Sequence, residues 1–171
     1  MDDITYPSEI PEQPEIQELK DYWYTLSQKM EPTGKQSPSL PLRSDISPLD
    51  LKKYLPDITI LEITGENDFL IRLFGTNLSD WLGPDRTGRR LSNITNGIKT
   101  TLEYNKAQMR WLTIMNKVMQ KKKPLIWTGS RFDASRQHHQ IRAISLPLTQ
   151  NSGDVEQILT ALYLYIPPRA S

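Results

Sequence analysis

Between Lys99 and Lys122 apolar residues recur with a helical period. Tyr104, Ala107, Trp111, Met115 and Val118 form one stripe, and Leu112, Ile114 and Met119 widen it. A stripe this broad suits a helix laid across a sheet. Lys121-Lys122-Lys123 sets positive charge at the negative end of the helix dipole, and Pro124 stops the helix. The lysine run is thereby explained as a helix end rather than a nucleic-acid patch.

The strands that such a helix would cover lie on both sides of it in sequence. Ile58–Ile63 and Phe69–Phe74 flank Gly65-Glu66-Asn67-Asp68, which is a hairpin signal. After the helix come Leu125–Phe132, His138–Leu148 and Glu156–Ile166, with Asn151-Ser152-Gly153-Asp154 between the last two. Their turn chemistry predicts antiparallel, hairpin-connected strands. Upstream, Ile16, Leu19, Trp23, Leu26 and Met30 form another helical stripe, with Pro14 in the first turn and Glu15 and Glu18 near the positive end of the dipole. That stripe packs either on its own domain or against a second subunit. Both readings stay open, and Leu19, Trp23 and Leu26 are the candidate dimer contacts.

Shorter elements fill the gaps. Ser47-Pro48-Leu49-Asp50 predicts a helix start, with Leu49, Leu51, Tyr54 and Leu55 as its apolar face and Pro56 as its stop. Thr76 or Asn77 caps another short helix through Trp81-Leu82, broken by Gly83-Pro84-Asp85. The expected fold class is α+β: a five-stranded antiparallel sheet with helices on one face, plus an N-terminal helix. The expected organisation is a disordered or extended arm at 1–13, an N-terminal helix and loop at 14–46, and a main domain at 47–168.

Composition narrows the chemistry. Lys and Arg total 21 and Asp and Glu 20, a net charge of +1, so the basic excess of a duplex binder is missing and no nucleic-acid partner is expected. The chain has no cysteine, which excludes disulfides, thiolate metal sites, a Cys nucleophile and a thiol adduct to a chromophore. Its two histidines, His138 and His139, are adjacent on or just before a strand, where neighbours point to opposite faces. They do not chelate one ion together, and no metal site is expected. The apolar-rich run Ile158–Ile166 is far shorter than the roughly 20 residues of a membrane span. The N-terminus lacks the basic and apolar regions of a signal peptide. A soluble, cytoplasmic protein without membrane contact is expected.

The order of elements, and groups of residues along most of the chain, resemble the PAS sensor domain family. Within it the chain is similar to a subfamily of short, single-domain proteins found largely in alphaproteobacteria. The residues that carry the likeness are Leu19, Tyr22-Trp23 and Leu26, then Arg43 through Asp50, then Leu55-Pro56. Phe69 through Leu78 and Gly83 through Leu91 complete it, as F-x-x-R-x-x-G-T followed by G-x-D-x-T-G. The main domain, 47–168, is then PAS-like. Arg72, Gly75, Thr76, Asp85 and Gly88 are its structural motif residues. Gly75 lets the chain turn from strand to helix, Thr76 caps, Asp85 accepts backbone N–H groups, Gly88 supplies positive φ, and Arg72 reaches the sheet edge, solvent or an acid such as Asp85 or Asp80.

The resemblance implies binding of haem, flavin, a small metabolite or a partner protein, in a hollow between sheet and helices. The long helix has no histidine for haem and the chain no cysteine for flavin photochemistry, so no cofactor is expected. No G-x-S-x-G, P-loop, G-x-G-x-x-G or H-E-x-x-H motif is present, and the chain reads as a non-enzyme. Trp111, Met115, Met119 and Trp127 are the candidate hollow, with Arg142 or His138 as a polar contact to an acidic metabolite. Two functions follow. One is a bacterial regulatory module in signalling, acting by homodimerisation and contact with a signalling protein. The other is a metabolite sensor.

Overall fold

A computed structural model describes residues 4–30, 36–91, 101–131 and 139–169. Helix α1 (Pro14–Ser27) leads into a small antiparallel ribbon, β1 (Gln28–Met30) with β2 (Gln36–Pro38). The hairpin β3 (Ile58–Gly65) and β4 (Asp68–Phe74) follows, then α2 (Thr76–Trp81), α3 (Thr101–Lys121), β5 (Leu125–Ser130), β6 (Gln140–Leu148) and β7 (Gln157–Tyr165). The main sheet is five-stranded in the order β4-β3-β7-β6-β5, and every neighbouring pair is antiparallel. The expected α+β class holds.

Successive strand residues face opposite ways, so the burial of both parities shows that both faces are covered. Ile126, Ile144, Leu146, Leu148, Leu159 and Ala161 join Ile16, Leu19 and Trp23 of α1 in one apolar cluster. Leu125, Trp127, Ile141, Ala143, Ile158 and Leu162 join Leu78 of α2 and Ile114, Met115 and Val118 of α3 in the other. The sheet is thus the middle layer of three.

Both outer edges of the sheet carry short pieces of chain. Gly88 N–H donates to the Ile71 carbonyl at 2.7 Å and Ile71 N–H to Arg89 at 2.9 Å, along β4. On β5, Thr5 and Thr128 exchange two main-chain bonds. Residues 4–10, part of the 1–13 segment read from sequence as a disordered or extended arm, bridge to β5 at Thr5 and bend at Ser8, and Ile10 enters the α1 cluster. Where β5 stops short of the end of β6, Thr149 N–H reaches Pro41 at 3.0 Å and Arg43 N–H reaches Thr149 at 2.7 Å.

The helix expected from Ser47 onward is not formed. Residues 48–54 are a run of turns followed by a 3₁₀ turn, Leu55–Asp57, which contains Pro56. Ser47 Oγ does accept the Leu49 N–H, at 3.3 Å. The expected capping partner Asp50 instead accepts the Tyr22 hydroxyl at 3.0 Å. Leu49, expected on the buried face, is 83% exposed. Among the described residues no helix is long and apolar enough to cross a membrane.

Candidate functional site

The hollow of interest lies between α3 and the sheet. Met115 points down from α3 and is fully buried, and Trp127 rises from β5 with 1% of its surface exposed. Trp111 and Met119, farther round the helix, are half-buried. The Trp111 and Trp127 rings meet edge to face with centroids 6.0 Å apart. Four of the five expected hollow residues therefore come together.

Arg142 does not join them. On β6 the residues facing α3 are Ile141, Ala143 and Ser145, so Arg142 has the parity of the α1 face. There its guanidinium lies 3.9 Å from the Tyr165 ring centroid, and its Nε donates to Gln140 at 3.0 Å. The expectation of Arg142 as a polar contact in the hollow is corrected by this alternation. His138 lies outside the described residues.

Polar groups of another kind line the hollow. The Trp127 indole N–H donates to Ser145 Oγ at 3.1 Å, and Ser145 Oγ shares a 2.8 Å bond with Thr160 Oγ1. Both hydroxyls are fully buried. They face each other because Ser145 and Thr160 are register partners on β6 and β7. A buried hydroxyl or indole N–H without a partner is costly, and here each supplies the other's need. Sequence reasoning passed over this relay. Its signal is a single polar residue at an inward position in each of two adjacent apolar strands.

Arginines hold the rim. Arg110 of α3 is 4% exposed and donates to the Ser130 carbonyl at the end of β5. It lies over Gly129, where a Cβ would come within 3.1 Å of its guanidinium. Arg131 donates to the Trp81 carbonyl and Arg86 to the Leu82 carbonyl, the latter at 3.1 Å. Positive groups thus meet the negative C-terminal end of α2.

The α1 stripe is spent within the chain. Leu19 is fully buried, Trp23 is 2% exposed, and Leu26 is partly buried against the same cluster. Trp23 Nε1 donates to the Pro147 carbonyl at 2.8 Å. The reading of Leu19, Trp23 and Leu26 as contacts to a second subunit is corrected, because the stripe covers the sheet of its own chain. Polar contacts pin the flank of the helix. The Tyr54 hydroxyl donates to Glu18, and Lys53 Nζ sits 2.8 Å from the same carboxylate. The Lys53 and Tyr54 hydrogen bonds hold the Glu18 carboxyl below its usual range.

The motif residues have structural roles. Arg72 pairs with Glu62 across the hairpin, not with Asp85 or Asp80. The register passes from Ile60↔Leu73 to Leu61↔Ile71, so Arg72 is the extra residue of a β-bulge and turns outward. Gly75 has φ −64, which any residue adopts, and its reason is steric. A Cβ there would collide with the Pro56 carbonyl. Gly75 itself is the N-cap of α2, and Thr76, expected to cap, is the exposed first helical residue with no side-chain cap bond. Asp85 accepts the Thr87 N–H at 2.8 Å and hydroxyl at 2.7 Å, which holds its carboxyl below the usual range. Gly88 has φ +85, a conformation that favours glycine.

Among the described residues no group of three or more His, Asp or Glu side chains is placed to hold a metal. The sequence model of the PAS domain family matches residues 12–163. No curated protein matches the chain. A solved structure, the light state of the blue-light photoreceptor Aureochrome1 LOV, is 9% identical with a TM-score of 0.39. That match covers 67% of this chain and 84% of the other.

Proposed function

Because the chain belongs to the PAS domain family, we propose that it is a bacterial regulatory module that signals through protein–protein contact, as a homodimer and with a signalling partner. The observation that supports this reading is the burial of Trp127 in the hollow. The Trp127 ring occupies the space beneath α3, and its N–H is already satisfied by Ser145. A large side chain packed at that place favours signalling through the surface over signalling through a bound ligand. The short PAS proteins of alphaproteobacteria that the chain resembles are the setting in which such a module would act.

A metabolite sensor is the second reading. It draws on the wall composition, in which the adaptable Met115 and Met119 stand opposite the Ser145 and Thr160 hydroxyls. Native mass spectrometry of gently purified protein separates the two. The interaction module gives twice the chain mass with no added component. An extra mass of a few hundred daltons that leaves on denaturation overturns it in favour of the sensor.

A further inference from the structure

Residues 4–10 cross the outer edge of β5 and pass from one face of the sheet to the other. Ile4 and Tyr6 pack into the cluster beneath α3, and Lys117 Nζ lies 3.9 Å from the Tyr6 ring centroid. Ile10 packs into the cluster beneath α1. Between them Thr5 N–H donates to Thr128 at 3.0 Å and Thr128 N–H to Thr5 at 2.9 Å. The two threonine hydroxyls bond each other as well.

The pairing is short for a reason legible in the residues. In an antiparallel ladder the next hydrogen-bonded position lies two residues on. That position is Pro7, which has no N–H to give. Among the described residues the arm pairs with β5 at one position, Thr5, and is otherwise held by side chains, and a terminal segment on a sheet edge opens before the rest of a domain. The connection to α1 is short and turns at Pro11-Glu12, where the Gln13 N–H donates to the Ile10 carbonyl at 3.0 Å, and Pro7 and Pro11 fix its φ angles.

We propose that the β5 edge is a receptor for an extended segment, and that residues 4–10 of a second copy replace the chain's own arm there. This rests on the homodimer reading above and supplies the interface that the buried Trp23 stripe leaves unassigned. The segment seen to fit the edge is the chain's own Ile4-Thr5-Tyr6, and every copy carries it. Each arm forms on its neighbour the same bonds it breaks at home, so the exchange is governed by concentration.

The absence of native cysteine makes the test clean. Thr5 and Thr128 are a bonded pair, with Cα atoms about 5.5 Å apart, inside the range a disulfide spans. A mixture of T5C chains and T128C chains, oxidised at high concentration, should yield a disulfide joining the two engineered positions of different chains. Its yield should rise with concentration. The double variant T5C/T128C, closed within one chain, should be monomeric by light scattering where the unmodified protein dimerises. No mixed disulfide, while the double variant closes within one chain, overturns the exchange. A closed double variant that dimerises like the unmodified protein overturns the exchange and leaves the homodimer standing. An unmodified chain that stays monomeric at every concentration overturns both.

Discussion

The two faces of the sheet each bury one tryptophan, and each solves the problem of its N–H differently. On the α1 face the ring comes from the helix, and Trp23 donates to the main-chain carbonyl of Pro147 on β6. That bond ties helix to sheet, and the Tyr54 and Lys53 contacts to Glu18 add to it. On the α3 face the ring comes from the sheet, and Trp127 donates to Ser145, which is bonded to Thr160. That relay runs sideways through β5, β6 and β7 and does not include the helix. Helix α3 is held by the packing of Ile114, Met115 and Val118, with Arg110 on Ser130 at the edge. One helix is bolted to the sheet; the other rests on it. A layer held mainly by packing, with the Arg110–Ser130 bond at its edge, can shift at the cost of fewer bonds to the sheet, which is what a signal passing through this domain would require.

The largest effects should come from removing the rings. Trp23→Ala and Trp127→Ala should each cost about 3–5 kcal/mol in denaturant unfolding. Their hydrogen-exchange patterns should differ. Trp23→Ala should lose protection first in α1, whereas Trp127→Ala should lose it across β5, β6 and β7 together. The same pattern for both would break the comparison. Gly75 lies where the segments covering the two faces touch, since Pro56 belongs to one side and α2 to the other. Gly75→Ala forces a Cβ into the Pro56 carbonyl and should cost about 1–3 kcal/mol. A neutral result would show that the two covers move apart freely.

A subtler pair sharpens the difference. Trp23→Phe and Trp127→Phe remove similar volume and one N–H each. The first leaves the Pro147 carbonyl in a buried place without its indole donor. The second leaves Ser145 still bonded to Thr160. Trp23→Phe should therefore be the more destabilising by about 1–2 kcal/mol, from the penalty on an unsatisfied buried acceptor. Equal losses would mean that the Pro147 carbonyl finds another donor.

Much of this was readable from residues, and the misses have definite causes. The strands and the hairpin at Asn67 followed from β-branched runs and turn chemistry, and Asn67 has the φ of +59 that asparagine tolerates. The α1 stripe was legible as a buried face. Periodicity says that a face is buried but not against what, so Trp23 could not be assigned to its own sheet. Arg142 was misplaced for a related reason: alternation sorts residues into two faces without saying which one α3 covers. The bulge at Arg72 depends on the partner strand, and nothing in β4 alone encodes it. At residues 48–54 the capping signals were real. Tyr22, distant in sequence, took Asp50, and the helix gave way to turns.

The smallest effect is the response to acid, and it too should separate the faces. Glu18 on α1 is held below its ordinary range by hydrogen bonds from Lys53 and Tyr54. A carboxylate depressed in the folded state contributes stability above its unfolded value, about pH 4, and loses it as pH falls through the folded value. Asp57 has the opposite sign, since burial is the largest influence on it and pushes it up, with the Asn77 hydrogen bond acting against this. Its protonation on acidification relieves a cost. Glu18 is exposed enough that solvent screens the pair, so the effect is local rather than global. Between about pH 5 and pH 3 the amides of α1 should lose protection relative to those of α3, after correction for intrinsic exchange. Glu18→Gln, which cannot ionise, should flatten that difference. If α1 and α3 instead lose protection in step, the flank contacts of Glu18 do not hold the helix, and Trp23 alone bolts it to the sheet.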